Sequence, residues 1–151
     1  MSRLEYRKLI SYNAAGSELR NKKKILIYGT CVRDEHSEIY AKFEKNRIPL
    51  AICLEEEHFN MIALKLASIV ARIDLEEIII LTVDGSPHCV QLHHVAEEVA
   101  KIVGKQVNFK HFVIENKKVI EIDSKTIKTA RYLSKIKRMI EKSDNSTKKN
   151  I

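Results

Sequence analysis

Cysteine and histidine are the side chains of this sequence best suited to chemistry, and they recur where predicted strands end. Cys31 follows the first strand, Cys53 ends the second, and Cys89 comes shortly after the third. Thiolate and imidazole are the ligands that zinc and iron–sulfur clusters prefer to carboxylates. One hypothesis is therefore a zinc or iron–sulfur site whose metal ligands are Cys31, Cys53, His88 and Cys89.

The spacing of these cysteines matches no established metal motif. No Cys-x-x-Cys pair occurs, and three cysteines cannot supply four thiolates to a cluster. A fourth ligand would have to be histidine or come from another subunit of a homo-oligomer. The alternative is that Cys31 and Cys53 are small core residues at buried strand ends, because free cysteine is among the most buried residue types.

Cys89 is the candidate catalytic residue, because it falls in the first turn of a predicted helix. The unpaired N–H groups and the positive dipole end of a helix N-terminus stabilise a thiolate. A protonated His88 beside it would add positive charge. The alternative for Cys89 is a thiol that only packs under the first helical turn.

The loop before Cys89 is a candidate cofactor-binding segment. Asp84, Gly85 and Ser86 precede the helix N-terminus, where backbone N–H groups commonly bind phosphate. However, neither Gly-x-Gly-x-x-Gly nor a Walker sequence occurs, and the charge of Asp84 disfavours a bare phosphate. Further along, His93 and Glu97 lie one helical turn apart, a pattern more typical of a solvated helix face than of a metal site.

Alternating strands and helices must position these residues. Apolar runs and capping residues predict strands at residues 24–30, 48–53, 77–83, 107–114 and 118–122, and helices at residues 34–46, 55–72, 87–103 and 124–142. This order indicates a three-layer α/β fold with an open, mostly parallel sheet of flavodoxin-like or Rossmann-like type, a C-terminal β-hairpin edge and a terminal helix. The continuous β-branched run at 77–83 is expected at the centre of the sheet. Ligands of such sheets bind beyond the carboxyl ends of the strands, where the cysteines lie.

Length and composition are those of one globular domain. The chain has 151 residues, of which 44% are hydrophobic. We expect a basic N-terminal segment at 1–23, a single α/β domain at 24–142 and a disordered tail at 143–151. No signal peptide or membrane span is predicted. The odd number of cysteines favours the cytoplasm, where thiols stay reduced.

Positive charge is concentrated at the two ends of the chain. Residues 1–24 carry seven Lys or Arg against two acids and residues 125–151 nine against two, whereas the segment between them carries eleven against sixteen. In the predicted terminal helix, basic residues recur every three or four positions, at Lys128, Arg131, Lys135, Arg138 and Lys142. This stripe fits either an ordinary solvated face or a surface that binds nucleic acid or an acidic protein.

No motif names a reaction or decides whether the chain is an enzyme. The first hypothesis is a small cytoplasmic protein with a cysteine and histidine site at the carboxyl edge of the sheet, in a metal-linked, iron–sulfur or thiol redox role. The second is a non-catalytic binding or assembly module whose basic ends dock nucleic acid or an acidic partner.

Overall fold

A single mixed sheet organises the chain, whose residues 6–149 are described by the computed structural model. Its strands are β1 (Lys24–Gly29), β2 (Ile48–Ile52), β3 (Glu77–Val83), β4 (Phe109–Glu115) and β5 (Lys118–Ile122). They lie in the order β2-β1-β3-β4-β5. Strands β1 to β4 are parallel, and β5 pairs with β4 in the antiparallel sense. The predicted sheet, its hairpin edge and the central place of β3 are thus confirmed.

Helices cover both faces of the sheet. They are α1 (Ser17–Lys22), α2 (Thr30–Glu35), α3 (Ser37–Glu44), α4 (Phe59–Arg72), α5 (Pro87–Val103), α6 (Ser124–Thr129) and α7 (Leu133–Lys149), with a 3₁₀ turn at Leu9–Ser11. None of the helices described here is long and apolar enough to cross a membrane.

Alternate side chains of the central strands supply two apolar layers. Ile25 and Ile27 of β1 pack on one face with α4 and α5, whereas Leu26 and Tyr28 pack on the other face with Val32 and Tyr40 of α2 and α3. Strand β3 is buried over five consecutive residues, because it is covered on both faces. The fold therefore has three layers, as the alternation of strands and helices predicts.

The N-terminal segment contributes to the core of the domain. Leu9 and Leu19 are fully buried. The N–H of Ala51 in β2 donates a hydrogen bond to the Arg7 carbonyl at 2.7 Å, and the Arg7 guanidinium pairs with Glu18 at 2.6 Å. From residue 6 onward, the expected basic N-terminal segment therefore packs with the domain; residues 1–5 of that segment lie outside the described part.

Two predicted helices begin elsewhere than expected. The helix predicted at 34–46 is divided between α2, which starts directly after β1, and α3. The helix predicted from residue 55 begins at Phe59. The intervening residues form a turn, because the N–H groups of Glu56 and Glu57 both donate to the Cys53 carbonyl, at 3.1 and 2.9 Å. Residues 55–58 therefore precede helix α4.

The helix predicted at 124–142 is two helices, α6 and α7. Residues 130–132 separate them, and the N–H groups of Arg131 and Tyr132 donate to carbonyls three residues earlier. Asp123 caps α6 by accepting from the Thr126 N–H at 2.8 Å. Helix α7 continues to Lys149, through most of the expected tail; residues 150 and 151 lie outside the described part.

The buried N-terminal segment gives a prediction about stability. Leu19→Ala should lower the free energy of unfolding by about 2–5 kcal/mol, because it leaves a cavity in the core. Leu64→Ala is the matched control; this leucine is 74% exposed, so its loss should cost less than about 0.5 kcal/mol. Urea unfolding of both variants measures the difference. Equal stability of the two variants would contradict the burial of this segment.

Candidate functional site

A cavity of about 270 Å³ opens beyond the carboxyl ends of β1, β2 and β3. All three cysteines line this cavity, which we call the thiol cavity. Apolar side chains, among them Ile52 and Leu92, form much of its wall. Parallel strands end at the same edge of the sheet, so residues distant in sequence meet there.

Cys31 and Cys89 approach each other over Gly29. Cys31 is the second residue of α2 and Cys89 the third residue of α5. A Cβ atom placed on Gly29 would lie 3.6 Å from the Cys31 Sγ and 4.0 Å from the Cys89 Sγ. Both sulfurs therefore border the point where β1 passes into α2. The two cysteines are free thiols.

The pKa values of the two thiols are shifted in opposite directions. A hydrogen bond with Cys31 lowers the pKa of Cys89 to about 6, against the effect of burial, and hydrogen bonds with the Ser86 side chain and the Val83 backbone lower it further, as does the nearby His88. The same hydrogen bond and burial raise the pKa of Cys31. These opposite pKa directions favour the thiolate at Cys89 and the protonated thiol at Cys31.

Cys53 lines the thiol cavity from β2, and its N–H donates to the Glu57 carboxylate at 3.1 Å. Within residues 6–149, no group of three or more Cys, His, Asp or Glu side chains is arranged to hold a metal ion. The ligand set Cys31, Cys53, His88 and Cys89 therefore gains no support from this geometry. A zinc or iron–sulfur cofactor stays a prediction from the residue types.

The loop before α5 contributes one of its three predicted residues to the cavity. Ser86 lines the thiol cavity, whereas Asp84 and Gly85 are exposed outside it. Gly85 has a φ of +104°, a conformation that favours glycine and lets the chain turn from β3 into α5. His88 lies at the rim, 4.0 Å from the Glu55 carboxylate. Cofactor binding by Asp84, Gly85 and Ser86 remains a prediction.

His93 does not lie on a solvated face, contrary to the sequence interpretation; it is only 5% exposed. Its Nε2 atom lies 2.8 Å from the Thr82 hydroxyl, and its Nδ1 atom lies 2.8 Å from the Nδ1 of His111. Sequence reasoning missed Thr82 and His111. The available signal was a histidine at an inward-facing position of a predicted strand, where an apolar residue is the norm.

The hydrogen bond between the thiols gives a prediction about reactivity. Alkylation of Cys89 by iodoacetamide should have an apparent pKa of about 6, and Cys31→Ala should raise this pKa because it removes the donor to the thiolate. Cys53→Ala is the matched control and should leave it unchanged. Alkylation rates measured against pH by peptide mass spectrometry test this. A Cys89 pKa near the ordinary thiol value of about 8.5 in the unmodified protein would contradict it.

Comparison with known proteins agrees with the fold. No curated protein and no solved structure matches the chain significantly. A family model described as a Rossmann-like domain matches residues 17–149. These residues span all five strands of the sheet and make up most of the sequence. The chain therefore belongs to the Rossmann-like domain family.

Proposed function

We propose that this protein carries out thiol–disulfide exchange, with Cys89 as the attacking thiolate and Cys31 as the resolving thiol. The observation that supports this proposal most strongly is that the Cys31 and Cys89 sulfurs border the same glycine, with the pKa of Cys89 lowered and that of Cys31 raised. A nucleophile must be a thiolate to attack, whereas a resolving thiol stays protonated until the mixed disulfide has formed.

The proposed reaction has two displacements. The Cys89 thiolate attacks one sulfur of a substrate disulfide, which forms a mixed disulfide and expels the first substrate thiolate. Cys31 then loses its proton, and its thiolate attacks the Cys89 sulfur and expels the second substrate thiolate. The protein dithiol is thereby oxidised by two electrons, and the substrate disulfide is reduced to two thiols. The reverse sequence oxidises a substrate dithiol.

The thiol cavity suits a small disulfide. Its volume of about 270 Å³ is slightly below the range of roughly 300–1,000 Å³ that is usual for ligand sites, so only a small group fits inside it. The apolar wall would exclude water from the reacting sulfurs, and His88 at the rim would attract an anionic substrate when protonated. We propose the cytoplasm as the compartment, because its thiol pool would return the oxidised protein to the dithiol.

The proposal predicts which disulfide forms. Treatment of the reduced protein with oxidised glutathione should yield a Cys31–Cys89 disulfide, because the two sulfurs border one glycine. Cys31→Ser should stop the reaction at a glutathione adduct on Cys89, since the resolving thiol is lost. Non-reducing peptide mapping identifies both products.

Cys53→Ser provides the matched control for that experiment, because Cys53 lines the same cavity. This variant should form the Cys31–Cys89 disulfide at the rate of the unmodified protein. A disulfide between Cys53 and Cys89, or an unresolved adduct in the unmodified protein, would contradict the assigned roles.

A second candidate function rests on the basic C-terminal helix. We propose that α7 binds nucleic acid, because every described side chain from residue 137 to residue 146 is exposed and the helix carries Lys135, Arg138 and Lys142 on successive turns. Lys128 lies on α6 and Arg131 lies in the break between α6 and α7, so neither continues this stripe on α7. Arg131 also pairs with Glu98 at 3.7 Å.

The test of this second candidate is a triple substitution, Lys135→Gln with Arg138→Gln and Lys142→Gln. The melting temperature should change little, because solvated charges contribute at most about 1 kcal/mol each. Binding to RNA and DNA oligonucleotides should weaken and its salt dependence should flatten, since fewer counterions are released. Fluorescence anisotropy at two salt concentrations measures both. No binding by the unmodified protein at low salt would rule this candidate out.

A further inference from the structure

A chain of buried polar side chains leads away from the thiol cavity. Thr82, His93 and His111 are 1%, 5% and 3% exposed, and they are the buried polar side chains of the described residues. All three belong to one hydrogen-bonded chain, with 2.8 Å from the Thr82 Oγ1 to the His93 Nε2 and 2.8 Å between the two Nδ1 atoms. Thr82 also lines the thiol cavity, so the inner end of the chain lies at the candidate site.

The outer end of the chain is Glu97. Its Oε1 atom lies 3.4 Å from the Nε2 of His111 and accepts a hydrogen bond from the Ser124 hydroxyl at 2.7 Å. The His111 Nε2 makes no hydrogen bond of good geometry within the described residues. The Glu97 carboxylate faces this nitrogen at ion-pair distance. Glu97 is 28% exposed, whereas His111 is buried. The carboxylate therefore connects the buried imidazoles to solvent.

The chemistry of the outer end fixes the direction of the hydrogen bonds. An ionised carboxylate only accepts, so the His111 Nε2 carries a hydrogen and its Nδ1 is an acceptor. The His93 Nδ1 must then donate to His111, and the His93 Nε2 must accept from the Thr82 hydroxyl. Every donor thus points from the thiol cavity towards Glu97, which is the arrangement that a proton relay requires.

We propose that Thr82, His93, His111 and Glu97 form a proton relay that removes the Cys31 proton from the thiol cavity. This inference rests on the proposed thiol–disulfide exchange, in which Cys31 must deprotonate to resolve the mixed disulfide. The Thr82 hydroxyl accepts the proton of Cys31 and gives its own proton to the Nε2 of His93. His93 then gives its Nδ1 proton to the Nδ1 of His111, and His111 gives its Nε2 proton to Glu97. Thr82, His93 and His111 each gain one proton and lose one, and Glu97 ends with one additional proton.

Burial is consistent with a relay that passes protons without storing them. Burial, with His111 and His94 nearby, lowers the pKa of His93 to about 3, and burial also lowers the pKa of His111 against the effect of Glu97. A lasting imidazolium is therefore disfavoured, and protons pass through neutral imidazoles. The other charged and titratable groups around the outer end are His94, Glu98 and Lys101 on α5 and Lys128 and Arg131 near the end of α6.

The test separates the two displacements by rapid mixing with a chromogenic aromatic disulfide. Thr82→Val and Glu97→Gln interrupt the relay at its two ends. Glu97 lies outside the thiol cavity, so Glu97→Gln should leave the first displacement unchanged, because this step needs only the Cys89 thiolate. Both variants should slow the second displacement by about tenfold or more at neutral pH, since the proton acceptor is lost. The rate of this step should then rise with pH, as hydroxide replaces the relay. Thr82→Ser keeps the hydroxyl and should restore the rate.

Glu98→Gln is the matched control, because this neighbouring carboxylate on the same helix is not part of the chain; it should not change either step. Equal rates and equal pH profiles in Thr82→Val, Glu97→Gln and the unmodified protein would overturn the relay while leaving the exchange reaction intact. Absence of any Cys31–Cys89 disulfide in the unmodified protein would overturn the exchange reaction itself. Melting temperatures of the variants show whether a slow second step reflects lost folding, and a slow step in a fully folded Glu97→Gln protein supports the relay.

Discussion

Parallel pairing of β1 with β3 sets the two helices that follow these strands side by side. Tyr28 of β1 is in register with Leu81 of β3, and both strands run towards the same edge of the sheet. Helix α2 begins directly after β1, and three residues separate the end of β3 from the start of α5. Cys31 and Cys89 therefore meet in the first turns of neighbouring helices. In an antiparallel pair, the same two residues would lie at opposite ends of the sheet.

At this edge of the sheet, the two thiols have different surroundings and therefore different pKa values. Their roles in the proposed exchange follow from this difference. Both lie near helix N-termini, which favour thiolate. Cys89 has further hydrogen bonds with Ser86 and with the Val83 backbone, whereas Cys31 lies near the negative charge of Glu35. A hydrogen shared between two thiols goes to the one whose anion is less stabilised. Cys31 thus keeps the proton, and Cys89 carries the charge.

Pairing of β3 with β4 has a second consequence, which is the burial of imidazole. It places His111 beside Ile80, on the face of the sheet that α5 covers. A buried polar group without a partner costs about 1–3 kcal/mol, so the two histidines and Thr82 have to satisfy one another. The proposed relay would use a network that the fold requires in any case. A polar side chain at position 93 of α5 therefore needs a polar side chain at position 111 of β4 as its hydrogen-bond partner.

Local pattern alone predicted the sheet, its central strand, the hairpin edge and the position of the cysteines, because strands and their ends depend on runs of neighbouring residues. Local pattern did not show which cysteines meet. The Cys31 and Cys89 sulfurs border the same glycine because β1 lies beside β3, a pairing between residues far apart in sequence. Local pattern also predicted a solvated position for His93, which is buried. The spacing between His93 and Glu97 describes a single helix, whereas burial depends on what packs against that helix. The partner of His93 lies 18 residues away on β4, and only the tertiary structure brings the two imidazoles together.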